Sequence, residues 1–189
     1  MNIPKKIAQI LINSLKGGVV PRIGLPYITV GRKAEIEALL KDVEMIEDGG
    51  ASFRFITGSY GSGKSFLLQT IRNYAMAKDF VVVDADLSPE RRLHGTKGQG
   101  LATYRELIRN MAAKFRPEGG ALQQILDRWI DSVRMDAMEQ DEGYADRTVR
   151  AAVYQLNDMV GGFDFGWLIM KYYRAYMAGD DEVSAKVLK

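Results

Sequence analysis

The clearest indication of the fold of this chain is the segment Gly58-Ser59-Tyr60-Gly61-Ser62-Gly63-Lys64-Ser65 (GSYGSGKS). It matches the pattern G-x-x-x-x-G-K-[ST], the Walker A phosphate-binding loop. Glycines let the backbone turn with positive φ and approach phosphate oxygens closely. Successive backbone N–H groups at the start of a helix then surround the anion. The stretch therefore predicts a loop that binds the phosphates of a nucleoside triphosphate.

Individual side chains of this loop predict individual roles. Lys64 is expected to reach the β- and γ-phosphates as a compact positive charge, which makes it the candidate catalytic residue. The Ser65 hydroxyl is a hard oxygen ligand suited to Mg²⁺, which also keeps phosphate oxygens and waters. We include Phe66, the residue after the loop, in the predicted binding set. The expected ligands are ATP and Mg²⁺.

The residues on both sides of the loop predict a strand, a helix and a second strand. Residues 52–57 (SFRFIT) alternate polar with apolar side chains, as a strand does. Residues 64–77 have helical spacing, and residues 80–87 (FVVVDADL) begin with the β-branched run of a buried parallel strand. Because a βαβ unit joins two parallel strands, we predict an α/β P-loop NTPase fold with a parallel core sheet.

The rest of the chain predicts helices separated by glycine and proline. The predicted helices are 3–16, 32–46, 101–115, 121–139, 145–160 and 164–178, with a short β segment at 27–30 and a loop at 88–100. The expected organisation is a leader and adenine-side segment (1–50), a βαβ core (51–100) and a helical region of the same ATPase domain (101–189).

Composition excludes several classes of site. The chain has 189 residues, no cysteine and one histidine, His94, so disulfides, thiolate zinc sites and histidine-rich metal sites are excluded. The cytoplasm is the simplest compartment that fits the lack of cysteine, and no segment approaches the length of a membrane span. A net charge of +2 is too small to argue for nucleic acid by itself, so DNA stays a possible partner without support from composition.

A second segment, Val30-Gly31-Arg32-Lys33-Ala34-Glu35-Ile36, precedes the loop by one helix and one strand in the predicted order. It resembles the N-terminal box of the AAA+ ATPases related to the origin-recognition and Cdc6 proteins. In that superfamily the box lies against the adenine base. The resemblance therefore implies that Ile28, Val30 and Gly31 lie near the base.

Several segments together resemble a bacterial family of ATP-binding proteins that includes the ATP-binding component of BREX-type phage-defence systems. They are Gly17–Leu25 (GGVVPRIGL), the loop with Phe66, Leu87-Ser88, and Tyr104-Arg105-Glu106-Leu107. The resemblance covers about the first 130 residues. It implies an ATP-binding module in antiviral defence that uses ATP as a conformational or assembly switch, with protein partners or self-association.

The expected Walker B strand, an apolar run ending in an acid that holds the magnesium, has no clear counterpart. Residues 80–86 end in acid but follow the loop helix directly, and no apolar-acidic run occurs later. The chain is therefore either a piece of a longer ATPase or a compact small-molecule kinase in which Asp84 or Asp86 binds the magnesium. A third interpretation is a protein- or DNA-interaction subunit with a vestigial loop.

The segment Tyr172-Tyr173-Arg174 with Tyr176 interleaves aromatic and basic residues, as base-stacking surfaces do. On a helix, however, Leu168, Tyr172 and Tyr176 lie four residues apart on one face. We therefore expect packing in a core or against a subunit at this face.

Overall fold

The computed structural model describes residues 3–95, 98–138, 140, 143–155 and 162–188. Regular structure in these residues is helical. The helices are α1 (Lys5–Lys16), α2 (Leu25–Ile28), α3 (Lys33–Glu47), α4 (Lys64–Ala77), α5 (Gln99–Arg109), α6 (Leu122–Ala137), α7 (Tyr144–Gln155), α8 (Gly162–Met177) and α9 (Asp181–Val187). None of these helices combines the length and the apolar character that a membrane crossing requires.

The predicted parallel core sheet is wrong, because the described residues form no strand and no sheet. Their backbone bridges are isolated and antiparallel: Val82 pairs with Ala112, and Ala113 with Arg116. Phe53 and Phe55, at the centre of the first predicted strand, are 80% and 84% exposed. Alternation shows which side chains share a face, but a strand also needs a neighbouring backbone for its hydrogen bonds. Residues 52–57 have no regular secondary structure, and within residues 80–87 Val82 forms an isolated bridge that does not extend into a ladder.

The predicted β segment at 27–30 is also wrong, since its first two residues belong to the short helix α2. Gly24, with φ +83°, leads into this helix, and proline occupies one of its first positions. A proline is favoured there because its missing N–H is not needed in the first turn. The hydroxyl of Thr29 then donates to the carbonyl of Leu25 (2.7 Å) and closes the turn.

Five of the predicted helices agree with the structure to within two residues at each end, namely α1, α3, α4, α6 and α8. Helix α5 ends at Arg109, six residues before the predicted end, because the chain turns back to form the Val82–Ala112 bridge. Helix α9 was not predicted, and residues 156–160 of the predicted helix 145–160 lie outside the described residues.

The chain divides into two compact units. The first unit comprises Met1–Leu107 and Met111–Gly119. In it α3 packs against α4. Helix α3 buries an apolar stripe that includes Ile36, and α4 buries one that includes Leu67. The amine of Lys78 pairs with the Glu47 carboxylate at 2.6 Å, which ties the ends of the two helices together. This packing sets the position of the loop before α4.

The second unit comprises Ile108–Asn110 and Gly120–Lys189. Its buried core is formed by α6, α7 and α8: Leu126, Ile130, Val133, Val149, Tyr172 and Tyr173. The Tyr172 hydroxyl donates to Asp127, and the Tyr176 hydroxyl donates to Asp131 at 2.9 Å. The core packing expected for Tyr172 is therefore confirmed, and its polar end is satisfied at the edge of the core.

Candidate phosphate-binding site

The loop of residues 58–65 has the backbone that its glycines predict. Gly61 and Gly63 have φ of +77° and +83°, in the left-handed region where a Cβ is unfavourable. Gly63 is the N-cap of α4, so the loop runs directly into the start of that helix. The first N–H groups of a helix have no acceptor within the helix. They are the donors that an anion at this position would use.

Lys64 extends over the loop that precedes it. Its Nζ donates to the carbonyls of Gly58 and Ser59, both at 2.9 Å. The turn beneath the amine is closed by the N–H of Ser62, which donates to the Ser59 carbonyl at 3.2 Å. An ammonium group has three donors, so these two carbonyls leave one for a phosphate oxygen. The site therefore presents a positive charge beside the backbone N–H groups.

The other predicted loop residues differ in exposure. Ser65, in the first turn of α4, is exposed, whereas Phe66 is half-buried. The Phe66 carbonyl accepts a hydrogen bond from the buried Thr70 hydroxyl at 2.8 Å, which holds the first turns of the helix in place. Tyr60, at the crest of the loop, is fully exposed. The Ser65 hydroxyl is thus accessible to a metal ion, and Tyr60 is accessible to a ligand or a partner.

Arg32 joins the upstream segment to the loop, a contact that the sequence did not reveal. Its Nη2 donates to the Ser62 carbonyl, and its Nη1 lies 3.7 Å from Glu35 Oε1. The Arg32 side chain is only 29% exposed. A Cβ added to Gly63 would lie 3.0 Å from Nη2. The sequence feature that could have indicated this contact is the arginine directly after Gly31 in the segment of residues 30–36.

The adenine-side candidates lie just before this arginine. Ile28 ends α2 and is half-buried, whereas Val30 is 85% exposed. Gly31 has φ +74°, which turns the chain toward α3. Since Arg32 contacts Ser62, these candidates are held to the loop of residues 58–65 by a side chain only two residues from Val30.

The model of the family of BREX system ATP-binding proteins BrxC/D matches residues 3–189. The chain belongs to this family. The resemblance drawn from the leader, the loop and the Leu87-Ser88 region is therefore confirmed, and the match extends it to the helical remainder. Membership makes the chain an ATP-binding component of a phage-defence system. No curated protein and no solved structure matches the chain.

In this BrxC/D-family chain the two candidate magnesium-binding acids make contacts outside the loop. Asp84 Oδ1 accepts from Arg72 Nε at 3.0 Å, beside the third turn of α4. Arg72 follows Lys64 by eight residues, which is about 12 Å of helix rise. The Asp86 side chain is exposed, and its backbone carbonyl accepts from Arg91 Nε at 3.1 Å. The described residues contain no group of three or more acidic or histidine side chains placed to hold a metal ion.

Proposed function

We propose that residues 58–65 bind the triphosphate of ATP, and that ATP acts on this BrxC/D-family protein as a conformational or assembly switch. The observation that carries the proposal is the position of Lys64. Its ammonium group lies over the loop carbonyls at 2.9 Å, next to the N-terminus of α4. A positive charge and unsatisfied N–H groups together match a polyphosphate.

Magnesium and the base have separate proposed contacts. The exposed Ser65 hydroxyl would coordinate Mg²⁺ together with phosphate oxygens and waters. Ile28, Val30 and Gly31 would lie beside the adenine, which an apolar, turning segment can approach closely. Family membership supports ATP as the nucleotide. Accordingly, the proposed role requires binding, and it does not require that this chain alone hydrolyse ATP.

The proposed switch acts through Arg32. When a phosphate oxygen accepts from the remaining donor of Lys64 and from the N–H groups of the loop, the turn around Ser62 adjusts to the ligand. Arg32 donates to the Ser62 carbonyl and directly precedes α3, so an adjustment of the turn changes the start of α3. Protein partners or a second copy of the chain would respond to that change. A ligand shifts such an equilibrium only by its difference in affinity for the two states.

The test is a titration of the purified protein with a fluorescent ATP analogue, with and without Mg²⁺, and with phosphate release measured in the same samples. Lys64→Ala removes a charged hydrogen-bond donor, which contributes about 1.5–3 kcal/mol, so the Kd should rise at least tenfold. Lys186→Ala is the matched control, because Lys186 is an exposed lysine of the second unit that pairs with Glu182. Ser65→Ala should remove most of the Mg²⁺ dependence.

Each outcome has a definite meaning. Binding that Lys64→Ala weakens at least tenfold and Lys186→Ala preserves supports the site. Absence of binding by the unmutated protein, or equal binding by the Lys64→Ala variant, refutes it. Sustained phosphate release would show that the chain supplies its own catalytic acid, and Asp84 and Asp86 would then be substituted next.

A further inference from the structure

A groove in the second unit carries charge and aromatic surface that nucleotide binding at the loop does not use. It lies between α7 and α8 and has a volume of about 440 Å³. Three basic residues line it: Arg150 from α7, and Lys171 and Arg174 from α8. None of the lining residues that the structure describes is acidic. We call it the α7–α8 groove.

Two large aromatic side chains of the groove are exposed. Trp167 on α8 is 62% exposed and Tyr154 on α7 is 75% exposed, and both line the groove. The neighbouring aromatics Tyr172 and Tyr173 are buried in the core, at 0% and 5% exposure. Burying an aromatic ring is strongly favourable, so two rings left at the surface of one groove mark it as a contact site.

Helical spacing places the groove residues on one side of each helix. Trp167, Lys171 and Arg174 stand at positions i, i+4 and i+7 of α8, which share a face. Beneath them Met170, with Val153 from α7, packs against the buried core. The groove therefore has a packed apolar floor, and the charged and aromatic groups stand above it.

The charges remain available to a ligand to different degrees. Arg150 Nε pairs with Asp146 Oδ2 at 2.5 Å, so its charge is partly neutralised. The amine of Lys171 lies 5.1 Å from the centre of the Trp167 ring, a cation–π contact with a largely exposed ring. The Arg174 side chain is exposed as well. Lys171 and Arg174 thus form a basic rim next to an aromatic surface.

We propose that the α7–α8 groove binds single-stranded nucleic acid. Bases would stack on the rings of Trp167 and Tyr154, and backbone phosphates would pair with Arg150, Lys171 and Arg174. Aromatic stacking beside a basic track is how proteins hold single strands without reading their sequence. The expected binding is therefore sequence-tolerant and falls steeply as salt is added.

Two features favour this ligand over other anions. An acidic peptide would use the basic residues but has no flat ring to stack on Trp167 and Tyr154. A single mononucleotide places its phosphate at one point, whereas Lys171 and Arg174 are one helical turn apart and Arg150 lies on the other helix. Successive phosphates of a strand can reach all three.

The test is fluorescence anisotropy of a labelled twelve-residue oligothymidylate with the full chain, without ATP. Trp167→Ala should weaken binding at least fivefold, because stacking of one base contributes about 5- to 150-fold. Phe165→Ala, which removes a 41% exposed ring from α8 outside the groove, is the matched control. Trp167→Phe should retain most of the affinity, which separates loss of the ring from loss of folding.

Salt dependence tests the phosphate contacts. Each neutralised phosphate of a single strand contributes about −0.7 to the slope of log K against log salt. The double substitution Lys171→Gln with Arg174→Gln should therefore reduce the magnitude of the slope by about 1.4. Arg134→Gln, in the same unit but outside the groove, should leave it unchanged.

Three results would overturn the proposal: no binding of the oligonucleotide, binding that neither Trp167→Ala nor the double substitution weakens, or equal binding of thymidine monophosphate or deca-glutamate. The Lys64→Ala variant should bind the oligonucleotide normally. Failure of the ATP site and failure of this groove are therefore distinguishable.

Discussion

Replacing Gly63 with alanine should destabilise the protein through two separate effects that the structure allows us to add. Gly63 has φ +83°, and an alanine in the left-handed region costs about 1–2 kcal/mol. The new Cβ would also lie 3.0 Å from Arg32 Nη2. Because the guanidinium is the end of a flexible side chain, it would give by a few tenths of an ångström, which disturbs its hydrogen bond to the Ser62 carbonyl.

The second effect has its own magnitude. A hydrogen bond from a charged donor contributes about 1.5–3 kcal/mol, and we take the lower end because Arg32 is still 29% exposed. Gly63→Ala should therefore lower the free energy of unfolding by more than the backbone cost alone and by at most about 3 kcal/mol. Gly18→Ala is the matched control, since Gly18 has φ +69° with nothing within 4 Å of an added Cβ. Gly18→Ala should lower the free energy of unfolding only by the cost of its backbone conformation, about 1–2 kcal/mol.

Urea unfolding followed by far-ultraviolet circular dichroism measures both variants, and the ATP-analogue titration is repeated on each. Gly63→Ala should also weaken nucleotide binding, whereas Gly18→Ala should not. In an Arg32→Ala background the extra cost of Gly63→Ala should fall to that of Gly18→Ala. Equal costs for Gly63→Ala and Gly18→Ala, or an extra cost that persists without the Arg32 side chain, would refute the reasoning.

Further predictions concern the core, the α4 ion pair and alkaline pH. Ile130→Ala should lower the free energy of unfolding by about 2–5 kcal/mol in urea, because Ile130 is 1% exposed, whereas Met138→Ala, at an 82% exposed position, should change it by less than about 0.5 kcal/mol. Asp84→Asn should lower the free energy of unfolding by about 1 kcal/mol or less, because its ion pair with Arg72 is partly exposed. The substitution should leave Mg²⁺-dependent ATP binding unchanged. Loss of that binding would instead make Asp84 a metal ligand. Burial and the hydrogen bond to the Asp127 carboxylate raise the pKa of Tyr172. The stability that the protonated Tyr172 hydroxyl contributes is therefore fully present below the usual tyrosine pKa of about 10 and is lost as pH rises above it. Tyr172→Phe should make urea stability fall less steeply between pH 9 and 11, and an unchanged slope would contradict this.

Local chemistry made the loop and most helices predictable. The pattern of glycines, Lys64 and Ser65 is contiguous, and the left-handed φ of Gly61 and Gly63 follows from residues next to each other in the chain. Helix α4 could be placed to the residue because its apolar spacing and its glycine start are both local. Family membership rests on the same kind of information.

Contacts between distant residues made the sheet and the Arg32 link unpredictable. Residues 52–57 have a strand pattern, but pattern alone does not supply the backbone partner that a ladder requires. The short helix α2 replaced an expected β segment because a proline and the Thr29 hydroxyl favoured a turn. The contact from Arg32 to Ser62 joins residues 30 positions apart, and spacing along the chain does not encode it.

Neighbouring residues were enough to predict the backbone of residues 58–65 and the helix behind it, and to place the chain in a family of ATP-binding proteins. Only the packed structure showed that residues 52–57 form no ladder, that Arg32 contacts the loop, and that Trp167 and Tyr154 line one groove. The physical reason is that hydrogen-bond ladders, long-range ion contacts and grooves arise only when separate segments pack together.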